Sequence, residues 1–98
     1  MAVLVNLQLR VYPEKREEAS GFLKRILPDT RAYEGCQGLH WTENIEDPSH
    51  IELFSLWDSK EQYDKYLQWR QDSGVMEESE AFLDGDPVWR FFRVDQTY

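Results

Sequence analysis

The sequence predicts an α+β fold in which one antiparallel sheet packs against helices on a single face. Stretches in which apolar and polar residues alternate are separated by two stretches with helical periodicity. Their order along the chain is strand, helix, strand, strand, helix, strand. A chain of 98 residues has the length of one domain, so residues 1–98 are expected to form a single unit.

The first strand is predicted from Val3 to Val11. Apolar residues occupy every second position of this segment, and most of the residues between them are polar. A period of two is typical of a strand with one buried face. Asn6, Gln8 and Arg10 are therefore expected together on the other face.

The first helix is predicted to begin near Pro13, whose fixed φ suits a first helical turn. The spacing of a buried helical stripe follows at Ala19, Phe22, Leu23, Ile26 and Leu27. Pro28 is expected to end or kink the helix, because a proline inside a helix lacks an N–H group and clashes with the preceding turn. The sequence leaves open whether residues 29–33 are helical.

A hairpin and a second helix are predicted next. Residues 37–44 and 50–57 have strand-like composition, and Asp47-Pro48-Ser49 between them is typical of a turn. Asp58 with Glu61, or Ser59 with Gln62, has the spacing of a helix capping box. The inner stripe of the helix that follows is expected at Tyr63, Tyr66, Leu67 and Arg70.

The end of the chain predicts a short amphipathic helix between loops within residues 72–86, and then a strand over residues 88–94. With right-handed crossovers, the whole order forms a split βαβ or ferredoxin-like sandwich, a four-stranded antiparallel sheet with two helices on one face. The second face is left bare. It is mixed polar and aromatic if it holds Asn6, Gln8, Arg10, Glu52 or its neighbours, Trp57, Trp89 and Phe91. Two such sheets could close around it, either face against face or edge to edge.

Composition limits the partners and the compartment. The net charge of −8 disfavours binding to nucleic acid or to anionic membrane surfaces. One cysteine allows no internal disulfide and fits a reducing compartment. No apolar stretch approaches the roughly 18 residues of a membrane span. A soluble, cytoplasmic protein is therefore expected.

Three short motifs occur in a characteristic order: Tyr12-Pro13-Glu14-Lys15 before the first helix, Tyr33-Glu34-Gly35-Cys36 before the second strand, and Leu56-Trp57-Asp58-Ser59 before the second helix. Over about residues 3–95 the chain resembles the antibiotic biosynthesis monooxygenase domain family. The resemblance implies a homodimer built as a dimeric α+β barrel, with a pocket between sheet and helices in each subunit. Several members oxidise phenols or hydroquinones with O2 and without flavin or metal.

The motifs of common cofactor sites are missing from the sequence, which has no G-x-G-x-x-G, P-loop or HExxH motif and no cysteine cluster. No cofactor and no metal is therefore expected. The leading hypothesis is a cofactor-independent monooxygenase that acts on a small phenol or hydroquinone with O2. A dimeric module that binds a small ligand without catalysis is the alternative, and a structural dimer is a third possibility.

Trp57, His40 and Asn6 are the candidate catalytic residues. Trp57 matches the strand-end tryptophan of the family, and its indole N–H could donate to a substrate or peroxide oxygen, although such a ring also fills cores well. His40 could transfer a proton if its strand points it into the cleft, or it could be a surface histidine. Asn6 shares a strand face with Arg10, where both could hold an oxyanion or simply fill a dimer interface.

Tyr63, Tyr66, Arg10 and Phe82 are the candidate substrate-binding residues. Either phenol could orient a substrate hydroxyl, or both tyrosines could pack on the sheet with solvated hydroxyls. Phe82 belongs to the acidic segment 72–86, which is either a solvated surface or a lid that covers the pocket with Val75 and Met76.

Haem degradation, an activity of related folds, is disfavoured. Those enzymes resemble this chain but use a histidine on or after the second helix as the iron ligand. The stretch from Ser59 to Tyr98 contains no histidine.

Overall fold

The computed structural model describes residues 2–98 and confirms the predicted α+β architecture. A 3-10 turn, Pro13–Lys15, precedes the first helix. The strands and helices are β1 (Val3–Arg10), α1 (Arg16–Ala32), β2 (Cys36–Glu43), β3 (His50–Trp57), α2 (Lys60–Asp72), α3 (Val75–Ser79) and β4 (Val88–Arg93). The short α3 lies inside the segment for which a short helix was predicted.

The four strands form one sheet in the order β2-β3-β1-β4. β1 pairs antiparallel with both β3 and β4, and β2 pairs antiparallel with β3. This is the strand order of the ferredoxin-like sandwich. The central strands β1 and β3 contribute the most deeply buried positions of the sheet, while β4 is largely exposed at its edge.

The pairing register decides which side chains face the helices. Val5 lies opposite Ser55 and Phe91, and Leu7 lies opposite Leu53 and Trp89. Side chains that lie opposite each other in a sheet point to the same face. The residues of β3 and β4 that pair with the apolar residues of β1 therefore point toward the helices.

Three residues considered for the bare face lie instead on the helix face. Trp57 pairs with Val3, while Trp89 and Phe91 pair with Leu7 and Val5. A shift of one position along a strand moves a side chain to the opposite face, so the register with β1 places these rings beneath the helices.

The core consists of two neighbouring clusters between the sheet and the helices. The larger cluster contains Leu9, Val11, Ala19, Phe22, Leu23, Ile51, Leu53, Phe82 and Leu83. The smaller contains Val5, Trp57, Tyr63 and Tyr66, with Tyr33 and Trp89 packed against it. Within residues 2–98, no helix is long and apolar enough to cross a membrane.

Both long helices form where the sequence predicts them, and α1 extends further than Pro28 suggests. α1 runs through Pro28 and ends at Ala32, so the proline does not terminate it. At the start of α2, the Ser59 hydroxyl accepts a hydrogen bond from the backbone N–H of Gln62 at 3.2 Å. Tyr63, Tyr66 and Arg70 are buried on the inner stripe of α2, as the spacing predicts.

Gly35 is placed in a turn that only glycine accommodates well. Its φ is +95°, and a Cβ added to it would lie 2.8 Å from the Cβ of Gln62. Its carbonyl accepts a hydrogen bond from the N–H of Asp58 at 2.8 Å. The turn before β2 is thereby held against the beginning of α2.

We predict that Gly35→Ala lowers the free energy of unfolding by about 1–3 kcal/mol, because the added methyl group meets both an unfavourable φ and α2. Chemical denaturation monitored by circular dichroism measures the change.

Gly21→Ala is the matched control. Gly21 is exposed inside α1, has nothing within 4 Å of an added Cβ, and should gain about 0.5–1 kcal/mol from the better helix propensity of alanine. Equal effects of the two substitutions would contradict the role assigned to the turn.

Candidate functional site

A cavity of about 100 Å³ lies between the sheet and the helices. Most of its wall is apolar, with leucines from β1, α1, β2 and β3, and α3 contributes Val75, Met76 and Ser79. The polar side chains of α1, α2 and β3 on its wall are Thr30, Ser55, Tyr63, Tyr66 and Arg70. An apolar wall with a few polar groups is the usual composition of a small-molecule site.

The phenol of Tyr63 is one of these polar groups. Its oxygen accepts a hydrogen bond from the indole N–H of Trp89 at 2.9 Å. Burial raises the pKa of the Tyr63 phenol well above its usual range, and the bond from Trp89 opposes the rise only in part. The hydroxyl therefore stays protonated at neutral pH, and its proton remains available to an acceptor in the cavity.

Tyr66 belongs to a hydrogen-bonded network instead. Its hydroxyl lies 2.6 Å from the hydroxyl of Thr30, and it accepts a bond from Nε of Arg70 at 2.9 Å. Nη2 of Arg70 donates to the carbonyl of Ile26 at 2.7 Å and to the Thr30 hydroxyl at 3.0 Å. The network joins α1 to α2 along one wall of the cavity, so the two tyrosines are not equivalent.

Trp57 stands behind this wall and is fully buried, with an exposed fraction of 0%. Its ring packs at centroid distances of 5.3 Å from Tyr63 and 5.1 Å from Tyr66. Its indole N–H donates to the Ser55 hydroxyl at 2.8 Å. Trp57 therefore fixes the positions of Tyr63, Tyr66 and Ser55, which line the cavity, while Trp57 itself does not.

The structure places Asn6, His40 and Arg10 on the opposite face of the sheet. Asn6 is 4% exposed and donates to Glu52 at 3.1 Å, while accepting from Gln8 at 2.9 Å. His40 is exposed on β2, and Arg10 forms an exposed ion pair with Asp47. The strand register places these predicted site residues across the sheet from Trp57, Tyr63 and Tyr66.

Phe82 lies in the core rather than on the cavity wall. Its ring packs against Phe22 at a centroid distance of 5.1 Å, and it is 2% exposed. Cys36 is half-buried, and burial raises the pKa of its thiol. A raised thiol pKa disfavours the thiolate, in agreement with the small hydrophobic role that the sequence indicates for Cys36.

Sequence reasoning did not assign a function to Ser55, Thr30, Trp89 or Arg70. Arg70 lies on the predicted inner stripe of α2, seven positions after Tyr63, and this position is the available signal. Thr30 follows Pro28, where the sequence left the helix uncertain. Ser55 shares the buried face of β3 with Leu53 and Trp57, and this two-residue spacing is the signal that identifies it as a small polar residue on that face.

Comparison with known proteins settles the family. Residues 2–71 match the antibiotic biosynthesis monooxygenase family. This chain is a member of that family. No curated protein matches it in sequence.

Solved structures share the fold of this monooxygenase-family chain at low identity. A conserved protein from Methanosarcina mazei has a TM-score of 0.88 at 20% identity, over 97% of this chain and 94% of that one. Rv0793 from Mycobacterium tuberculosis has 0.87 at 17% identity, over the whole of both chains. SnoaB, a cofactor-independent oxygenase from Streptomyces nogalater, has 0.83 at 11% identity, over 98% and 95%.

We predict that Tyr63 makes the stability of the protein fall at alkaline pH. A phenol whose pKa is higher in the folded than in the unfolded state stabilises the fold below the unfolded pKa, and this contribution is lost as the pH rises. Above about pH 10, the difference in unfolding free energy between wild type and Tyr63→Phe should shrink by up to about 1.4 kcal/mol per pH unit.

Urea denaturation of both proteins between pH 8 and pH 11 measures this difference. Tyr12→Phe is the control for the loss of a phenol hydroxyl at an exposed position. A constant difference for Tyr63→Phe would mean that the phenol is not held away from solvent.

Proposed function

We propose that this chain is a cofactor-independent monooxygenase that oxidises a small phenol or hydroquinone with O2 in the cavity between the sheet and the helices. The observation that carries the proposal is the protonated, buried phenol of Tyr63 on the wall of an apolar cavity, in a chain of the antibiotic biosynthesis monooxygenase family. An apolar cavity excludes water and positions a ring, which is what such a reaction requires.

The reaction balances without another redox partner. A phenol and O2 react to give a quinone and water, and one ring C–H of the phenol becomes a carbonyl. The substrate releases its hydroxyl proton to solvent and supplies the electrons, and a ring carbon forms a C–O bond with O2. The O–O bond then breaks as an acid in the cavity protonates the departing oxygen, and the ring C–H proton restores that acid. One oxygen atom stays on the ring, and the other leaves as hydroxide, which the proton released at the start converts to water.

Tyr63 is the residue suited to donate a proton to the departing oxygen. Because it accepts from Trp89, its own proton can point into the cavity, whereas the Tyr66 hydroxyl is engaged with Thr30 and Arg70. Trp57 acts through its neighbours by holding the rings of Tyr63 and Tyr66 and the hydroxyl of Ser55. It is therefore a positioning residue in this proposal.

The size of the cavity favours a compact substrate. A dry cavity of about 150 Å³ accepts a benzene molecule, and the cavity here is about 100 Å³. A substituted ring therefore requires part of the wall to move outward. The five-residue α3 is the wall segment best suited to this movement, since Gly74 precedes it and a loop follows it.

The open face of the sheet is proposed as the surface for homodimer formation. Leu4 lies beside Leu56 and Phe92 there, and Phe92 is 48% exposed. A contiguous apolar area on a domain of this size favours self-association. In this proposal Asn6, His40 and Arg10 belong to the dimer face and not to the reaction site.

We predict that Tyr63→Phe lowers kcat/KM for O2-dependent oxidation of a phenol by about 100-fold or more, because it removes a general acid. The measurement is O2 uptake with a panel of single-ring phenols and hydroquinones, together with mass analysis of the quinone product.

His40→Gln is the comparison variant, with an expected effect within about twofold. A large loss in His40→Gln and none in Tyr63→Phe would move the reaction to the open face. Saturable binding of the ring compounds with no O2 uptake and no product would instead favour the non-catalytic binding module.

We also predict that Phe92→Asp converts a dimer to a monomer, because it introduces a carboxylate into the apolar part of the open face. Sedimentation velocity at micromolar concentration measures the change.

Ile45→Asp is the matched control. Ile45 is 99% exposed in the β2–β3 loop, so the same change in side chain should leave the dimer intact there. A wild-type protein that is monomeric at these concentrations would contradict the proposed interface.

A further inference from the structure

Arg70 is a buried cation without a carboxylate partner. It is 5% exposed, and no carboxylate oxygen of the described residues lies within 4.0 Å of its guanidinium. The chain carries 19 acidic residues, and Arg10 and Arg25 on the surface both pair with one of them. The lack of a carboxylate beside Arg70 is therefore not caused by a shortage of acidic residues in the chain.

A buried charge without a counter-ion is costly, and arginine does not escape the cost by losing its proton. The neutral groups around Arg70 compensate in part. Nε and Nη2 donate to Tyr66, Thr30 and the Ile26 carbonyl, and the guanidinium carbon lies 4.4 Å from the centroid of the Trp69 ring. Because all of these contacts are to neutral groups, they do not neutralise the positive charge of Arg70.

The third nitrogen, Nη1, has no hydrogen-bond partner among residues 2–98, while Nε and Nη2 are both engaged. Arg70 also lines the apolar cavity. The engaged nitrogens hold the guanidinium plane in position, and Nη1 is not among the fully buried unpartnered atoms, so a ligand can reach it without further ordering of the side chain.

We propose that Arg70 is the anion-binding group of the cavity, and that the ligand it receives is an aromatic oxyanion such as a phenolate. The inference rests on the proposed function, because it takes the cavity as the substrate site. An apolar wall binds the ring, and a fixed guanidinium in a low dielectric favours the deprotonated oxygen.

The other charged and titratable groups near this position do not compete for the role. Among the described residues that line the cavity, Tyr63 and Tyr66 are the other titratable groups, contributed by the same helix as Arg70. The polar side chains that α1, α3 and the sheet contribute to the cavity are Thr30, Ser79, Ser55 and Trp89, and none of these carries a charge. An incoming oxyanion therefore meets one positive charge and no negative one.

Binding at Arg70 also accounts for the first step of the proposed reaction, the formation of the phenolate. A phenol that binds at Arg70 releases its hydroxyl proton to water and remains as the phenolate, the electron-rich form that reduces O2. Arg70 and Tyr63 then divide the work, since one stabilises the anion that enters and the other supplies a proton to the oxygen that leaves.

The test uses 4-nitrophenol, whose neutral and ionised forms absorb at different wavelengths. Wild-type protein is titrated with the probe at several pH values, and the spectrum of the bound probe gives its pKa. The opposite charge of Arg70 should lower the pKa of the bound phenol by about one unit relative to the probe in water. Nitrobenzene, which has the same ring without the hydroxyl, reports whether a neutral ring enters the cavity.

Variants assign the effect to Arg70. Arg70→Met should abolish the pKa shift, and Arg70→Lys should retain part of it. Lys65→Met removes a positive charge from an exposed position of the same helix and should leave the shift unchanged. If Arg70→Met does not fold, the wild-type measurement and Arg70→Lys still decide the question.

The outcomes distinguish a failure of the anion site alone from a failure of the proposed substrate cavity. Binding of both probes with an unchanged or raised pKa of the phenol overturns the anion site and leaves the aromatic cavity standing. Failure of both probes to bind overturns the anion site and the substrate cavity together. A lowered pKa that persists unchanged in Arg70→Met places the anion elsewhere and overturns the assignment.

Discussion

The constraint on which this structure depends is the strict alternation of side chains along β1, combined with antiparallel pairing on both of its edges. Val5 and Leu7 point toward the helices, and the register carries Ser55, Leu53, Phe91 and Trp89 to the same face. A one-residue slip would exchange the two faces of the sheet. The separation of a cavity on one face from an open, partly apolar surface on the other follows from this register.

The helix face uses its aromatic residues for two different purposes. Trp57, Tyr33 and Tyr66 pack against one another in the smaller core cluster, where ring contacts and burial stabilise the fold. The polar ends of the tyrosines are oriented by hydrogen bonds from Trp89 and Arg70. Packing therefore holds the phenols in fixed positions, which is the condition for a polar group to act on a ligand without reorganisation.

The sequence was sufficient to predict the order of elements, the inner stripes of both long helices and the cap of α2 at Ser59. It did not resolve which face Phe91 occupies, because Phe91 and Phe92 are adjacent and both are apolar. The same ambiguity affects β3, where Phe54 and Leu56 are apolar on the open face and Leu53 and Trp57 on the other. Only the pairing with β1 decides these cases, and that pairing is a tertiary property.

The candidate site was likewise predictable where local spacing decides the position of a residue, and not where tertiary contacts decide it. Tyr63 and Tyr66 could be placed from helical spacing, but the role of Arg70 could not, because an arginine at the margin of a stripe usually extends its charge into solvent. Thr30 depended on α1 continuing past Pro28, which local propensity disfavours and packing against α2 favours. Asn6 and His40 were associated with the tyrosines through the implied pocket, and the strand register places them on the other face.

The central claim is that small ring compounds enter the cavity between sheet and helices while the open face is reserved for self-association. A titration of ¹⁵N-labelled protein with phenol, followed by amide chemical shifts, tests it most directly. Saturable shifts are expected at Thr30, Ser55, Tyr63 and Tyr66, with little change at His40 and Thr42 on the open face. Shifts confined to the open face, or none at saturating phenol, would contradict it.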